Sequence, residues 1–135
     1  MTPRQKGIFR MDGNDAVARV VQAYYDILGG GAASFDQGRH LRPLLASDLE
    51  FEGPIAGHVV GAERFVRGVS GFVETVRRIA MLHQICAEGI AATLYDAEMP
   101  GGIVRFAEFF QIDGGKIQTL RLMYDPAEYR ARGGR

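Results

Sequence analysis

The apolar positions keep one rhythm over the first half of the chain and another over the second. Val17, Val20, Val21, Tyr24 and Leu28 recur at helical spacing, with Asn14 or Asp15 placed to cap the helix. "GGGAAS" (29–34) ends it, because glycine favours the left-handed and loop conformations that follow a helix. A second, shorter helix starts at Ser34 or Asp36 and runs to Leu45, with Arg39, His40 and Arg42 on its polar sides and Pro43 able to distort it. "LEFEGP" (49–54) alternates as a first strand, and "IAGHVVG" (55–61) reads as a loop with some extended structure. Residues 62–78 form a third helix with Phe65, Val69, Phe72 and Val76 as its apolar stripe.

The rhythm then shortens. Segments 79–88, 90–99, 103–112 and 116–125 read as strands joined by Gly89, "PGG" and "DGGK". Joints this short between long strands imply antiparallel hairpins. The order is helix, helix, strand, helix and a four-stranded meander, which is an α+β domain. Residues 1–12 read as an N-terminal tail, 13–128 as the domain, and 129–135 as a polar C-terminal tail.

Both faces of the meander carry apolar residues. One face of 103–112 is Phe106, Glu108, Phe110 and Ile112, and the other is Ile103, Arg105, Ala107, Phe109 and Gln111. In 116–125 one face is Ile117, Thr119, Arg121 and Met123, and the other is Gln118, Leu120, Leu122 and Tyr124. One sheet face can pack on the helices. The other needs a different cover, and a second copy of the same sheet supplies it, so a homodimer through the sheet face is expected.

Glu108 stands out in this pattern, flanked by Phe106, Phe109 and Phe110. With Gly114 and Gly115 as a two-residue turn, counting back places Glu108 opposite Arg121 as a cross-strand ion pair. A bulge near the turn would instead put it beside Leu120. A Glu–Arg pair would be structural. A glutamate facing a cavity would have its pKa raised by desolvation and lowered by any nearby arginine, and could serve as donor or base.

The totals narrow the options. The chain has 135 residues, 47% of them hydrophobic, and 16 basic residues balance 16 acidic ones. The pI is near 6.8. That is one domain with a full core and no basic surplus for nucleic acid. No apolar run reaches the roughly 20 residues of a membrane span. The N-terminal "MTPRQKGIFR" lacks the apolar core of a secretory signal, and Met11 offers an alternative start. The lone Cys86 is expected as a buried thiol in a reducing cytoplasm. Three scattered histidines give no metal-ligand spacing. His58 is either a solvent-exposed loop residue or a base at a pocket rim. His83 is either a hydrogen-bonded interior residue or a pocket acid/base. Glu50 and Glu52 share one face of the first strand.

The succession "YYDILGGG", "LASDLEFEGP", "GAERF" and "IDGGKIQTLRLMYDP" resembles the nuclear transport factor 2-like superfamily, within it the SnoaL-like and ketosteroid isomerase-like groups, over residues 13–128. The resemblance implies a cone-shaped curved antiparallel sheet wrapped by three N-terminal helices, the cystatin-like α+β barrel, around an apolar pocket in a dimer. It places Tyr24 at the helix tyrosine of the steroid isomerases and Glu108 near their strand acid. Gly53 falls where their proton-moving aspartate stands, so isomerase chemistry by that route is not expected. Arg105 is followed by Ala107 where the epoxide hydrolases of this fold carry Arg-x-Asp. Glu108 or Asp125 could serve as the pocket carboxylate of a SnoaL-type cyclase. The implied pocket holds Phe51, Phe65, Phe106, Phe110, Leu120, Arg121 and Tyr124. The implied catalytic set is Tyr24, Glu108, His58 and His83, with no cofactor and a small apolar, oxygen-bearing partner. Proton transfer is the expected chemistry: isomerisation, cyclisation or dehydration. A non-catalytic binding or dimeric interaction module is the alternative.

Overall fold

The computed structural model describes residues 13–135. The expected N-terminal tail lies outside them. Helix α1 (Gly13–Leu28) begins early enough that Asp15 lies inside its first turn rather than at a cap. Val17, Val20, Val21, Tyr24, Tyr25 and Leu28 are buried, a stripe wide enough to lie on a sheet. The expected second helix shrinks to one α-turn, α2 (Ala32–Phe35), and two 3-10 turns at Asp36–Gly38 and Arg42–Leu44. Asp36 and Gln37 are both left-handed there, which breaks any continuous helix. Helix α3 (Ala62–Thr75) buries Phe65, Val66, Phe72 and Val73 and stops three residues earlier than its apolar spacing suggests.

Among the described residues, six strands follow the order β2-β1-β6-β5-β4-β3. They are β1 (Leu45–Gly53), β2 (Gly57–Val60), β3 (Arg78–Ala87), β4 (Ile90–Met99), β5 (Gly102–Asp113) and β6 (Lys116–Met123). The "IAGHVVG" loop therefore contains an edge strand, β2, hairpinned onto β1. β1 runs parallel to β6, so the sheet is mixed rather than wholly antiparallel. It curves without closing into a barrel, with β2 and β3 outermost among the described strands. Bulges interrupt β1/β6, β3/β4 and β5/β6. Those in β3/β4 and β5/β6 add one residue on one strand, and the β1/β6 irregularity adds three on β1 between Leu45 and Glu50.

Burial alternates along β4 and β5. Ala91, Thr93, Tyr95, Ala97 and Met99 face inward on β4, and Val104, Phe106, Glu108, Phe110 and Ile112 on β5. Helix α1 lies over β3 and β4, and α3 over β1. The opposite face exposes Ile85, Ile90, Ile103, Phe109 and Met123.

The last residues are not a polar tail. Asp125 caps a short helix, α4 (Pro126–Ala131), accepting from the backbone amides of Ala127 and Glu128 at 3.0 and 3.1 Å. Tyr129 is buried, and its hydroxyl donates to the Arg135 carbonyl at 2.8 Å. The Gly71 Cα faces that same carbonyl closely enough that a Cβ would collide with it, so glycine lets the segment lie against α3.

Candidate active site

Glu108 is 1% exposed, on the inner row of β5. Its register partner on β6 is Leu122, and Phe109 is the residue opposite Arg121. The turn forms as expected, with Asp113 against Lys116 and Ile112 against Ile117. Gln118 is then extra on β6, which shifts every later pair by one. The expected Glu108–Arg121 pair does not exist. Arg121 lies on the outer face, where its Nε donates to Glu52 Oε1 at 3.1 Å across the β1/β6 pair.

Three tyrosines surround the carboxylate instead. Tyr25 donates to Oε1 at 2.6 Å, Tyr95 to Oε1 at 3.0 Å, and Tyr24 to Oε2 at 3.1 Å. The Tyr25 hydroxyl also shares a 2.6 Å hydrogen bond with Thr93 Oγ1, which sits directly across from Glu108 on β4. Phe110 packs edge-on beneath Tyr24 and Tyr25, and Phe106 stacks on Tyr95. Each ring is therefore held by its neighbours, and each hydroxyl is aimed.

Two effects compete for the Glu108 proton. Burial disfavours the charged form and dominates, and the hydrogen bonds from Tyr25, Tyr95 and Tyr24 pull the other way. The result is a pKa raised from 4.5 to about 7. Burial and the Glu108 charge both push the tyrosine pKa values upward, so all three stay protonated donors. Oε1 is occupied by two donors and Oε2 by one at longer range, so a neutral acid has room for its proton on Oε2, the oxygen that Tyr24 reaches.

A cavity of about 240 Å³ opens onto this group. Tyr24, Tyr95 and Glu108 form its polar end. Leu28, Phe51, Phe65, Phe72, Phe106 and Tyr124 supply apolar wall. Arg64 and Arg135, both exposed, lie where it meets solvent. Among the described lining residues Glu108 is the only acid.

Of the expected pocket residues, Phe51, Phe65, Phe106 and Tyr124 line the cavity. Phe110 and Leu120 are buried in the core behind it, and Arg121 is outside. Of the expected catalytic set, Tyr24 and Glu108 meet in the cavity. His58 does not join them. It lies exposed on β2, 3.2 Å from Glu50. His83 is exposed on β3 and also stands apart from the cavity lining. Asp125 is committed to its cap. Cys86 is half-buried rather than buried. No cluster of metal-ligating side chains occurs among the described residues.

Tyr25, Tyr95 and Thr93 were absent from the expected set. Tyr95 was legible in principle, because Ala91, Thr93, Tyr95 and Ala97 share one β4 face and an aromatic among small residues fits under a helix. Gly53 lines the cavity at the end of β1. A Cβ there would meet the Phe51 ring at 2.9 Å, so the ring fills the space a side chain would take.

No protein-family model matches the chain, and no curated protein matches it. Solved structures do. A candidate SnoaL-like polyketide cyclase from Jannaschia sp. CCS1 superposes with a TM-score of 0.72 at 13% identity, covering 93% of this chain and 96% of the other. A steroid delta-isomerase from Pseudomonas aeruginosa superposes at 0.67 and 17% identity, covering 84% and 82%. An NTF2-like protein of unknown function from Cytophaga hutchinsonii superposes at 0.65 and 18% identity, covering 90% and 97%. The chain therefore has the nuclear transport factor 2-like fold that the sequence pattern resembles. Identity this low establishes the fold and leaves the chemistry to the residues.

Proposed function

We propose that this protein is a cofactor-independent enzyme that moves a proton on a small, mostly apolar, oxygen-bearing substrate. The observation that carries the proposal is Glu108: a buried carboxyl with a pKa near 7, fixed by three tyrosines in an apolar cavity. An acid tuned to neutrality can both give and take a proton at working pH. In its neutral form Glu108 donates from Oε2 to a substrate carbonyl oxygen, and the Tyr24 hydroxyl, turning from that protonated oxygen, becomes a second donor on the same wall. In its ionised form it removes a proton from the carbon beside that carbonyl and returns it elsewhere. Isomerisation, cyclisation and dehydration all use these steps. Since Gly53 offers no base and both histidines lie elsewhere, Glu108 acts alone, moving one proton between two substrate atoms.

The test is hydrogen exchange. A panel of compact ketones in heavy water, followed by proton NMR, is expected to lose α-hydrogen signal with the wild-type protein and not with Glu108→Gln. Saturable binding with no exchange for any ketone would overturn the enzyme reading. It would favour a ligand-binding protein, a reading that the glycine at position 53 supports.

The exposed apolar row of Ile85, Phe109 and Met123 supports a homodimer through the outer sheet face. Phe109→Glu is expected to lower the sedimentation mass to that of one chain. No helix among the described residues is long and apolar enough to cross a membrane. The single cysteine is compatible with a reducing cytoplasm, which we propose as the compartment.

A further inference from the structure

We propose that the ligand is a compact oxo-acid, with its carbonyl at Glu108 and its carboxylate at the cavity opening against Arg64. The inference rests on the reading of Glu108 given above and adds the far end of the molecule.

The charges on the cavity wall are ordered. Glu108 is the buried charge, 1% exposed, and Arg64 and Arg135, both exposed, are the charges on the solvent side. Arg135 already faces Glu74 at 3.7 Å. Arg64 has no ion-pair partner among the described residues. Its neighbour Glu63 turns the other way and makes two bonds to Arg42, at 2.7 and 3.0 Å. An uncharged apolar ligand would leave that guanidinium unmatched beside its outer end. A carboxylate there matches the planar donor fork of arginine and keeps part of its hydration.

The reverse orientation is unfavourable. A carboxylate at the buried end would be stripped of water among aromatic rings. It would also face Glu108, and two carboxylates in one site cannot both ionise cheaply. A carbonyl oxygen suits that end because a neutral acid and a tyrosine can both donate to it. Size sets a further limit. About 240 Å³ lies below the usual ligand-pocket range of roughly 300–1,000 Å³. The body between the two oxygens is then nearer one ring than four.

The probe is 4-acetylbenzoate, compared with its methyl ester by calorimetric titration at low ionic strength. The acid is expected to bind roughly three- to tenfold more tightly than the ester. Arg64→Ala is expected to abolish the preference. Arg67→Ala, an exposed change on the same helix away from the cavity lining, is expected to keep it. Equal binding of acid and ester, or equal effects of the two arginine changes, overturns the oxo-acid proposal and leaves the cavity reading standing. Failure of both compounds to bind overturns both. Exchange of α-hydrogens in heavy water reports separately on Glu108, so preference for the acid with no exchange of the probe or of any ketone of the panel would sink only the proton-transfer reading.

Discussion

The Tyr25 hydroxyl stands 2.6 Å from Oε1 of Glu108, across 83 residues of sequence. It is the shortest of the three tyrosine contacts and the one joined to Thr93. Through it α1 and the β4/β5 pair are tied at one buried point, and the carboxyl plane is set from behind while Tyr24 addresses it from the cavity.

Glu108→Gln tests the raised pKa by stability. The folded state holds its proton up to about pH 7, whereas an unfolded glutamate releases it near 4.5. Below pH 4.5 both states are protonated and the site contributes no pH slope. Between those values the folded state binds more protons, so wild-type stability falls as pH rises, by on the order of 3 kcal/mol, and levels off above 7. Glutamine lacks this slope. The melting temperature of Glu108→Gln relative to wild type is therefore expected to rise from pH 4.5 to 7. A constant difference would show that Glu108 is not held neutral.

Tyr25→Phe removes a donor to the ionised carboxyl. Its loss is expected to move the Glu108 midpoint further up, seen by carbon-13 NMR of the labelled glutamate carboxyls. Stability is expected to fall by about 1–3 kcal/mol, because Thr93 also loses its partner. An unmoved midpoint would mean that the carboxyl finds another donor.

Arg121→Ala is expected to leave the Glu108 titration unchanged. The arginine lies on the outer face with Glu52, and an exposed pair of this kind contributes roughly 0–1 kcal/mol. A downward or upward shift of the midpoint by that substitution would contradict the register of β5 and β6.

Gly53→Ala is expected to destabilise by about 1–3 kcal/mol, because the Phe51 ring lies 2.9 Å from the new methyl position. Shortening that ring with Phe51→Leu in the same chain is expected to return part of the loss. Additive costs in thermal melts would show that the two positions do not share space.

Much of the scaffold was legible. The period-two pattern of β5 already placed Glu108 in one row with Phe106, Phe110 and Ile112, and the structure buries that row. The sequence left a bulge open but not its strand: Leu120 beside Glu108 needs the extra residue on β5, and the structure puts it on β6, which brings Leu122 instead. Gln118 and Thr119 are both polar, so nothing in a period of two marks one of them as extra. The available sign was that Ile117 and Leu120, three apart, are both fully apolar, and both prove to be buried. That single residue decided whether the glutamate lay opposite Arg121 or opposite Leu122. The histidines misled for a different reason. A loop or strand position says little about which face a side chain takes, and β2 turns His58 toward Glu50. The second helix failed because Asp36 and Gln37 adopt left-handed backbone, which a helical reading of polar spacing does not foresee.

The parallel pairing of β1 with β6 has a consequence for synthesis of the protein. Glu52 and Arg121 lie 69 residues apart, yet they occupy neighbouring strands. Phe51 and Gly53 on β1 and Leu122 beside them on β6 thus bring distant parts of the chain into one wall of the cavity. Hairpins β3/β4 and β4/β5 can form as they leave the ribosome, since their partners are adjacent in sequence. The β1/β2 hairpin must wait, unattached to the sheet, until residues 116–123 are available to receive it. A growing chain can therefore pair the strands that carry Tyr95 and Glu108 before residues 116–123 have emerged, and the chamber is complete only once that strand has joined β1 to them.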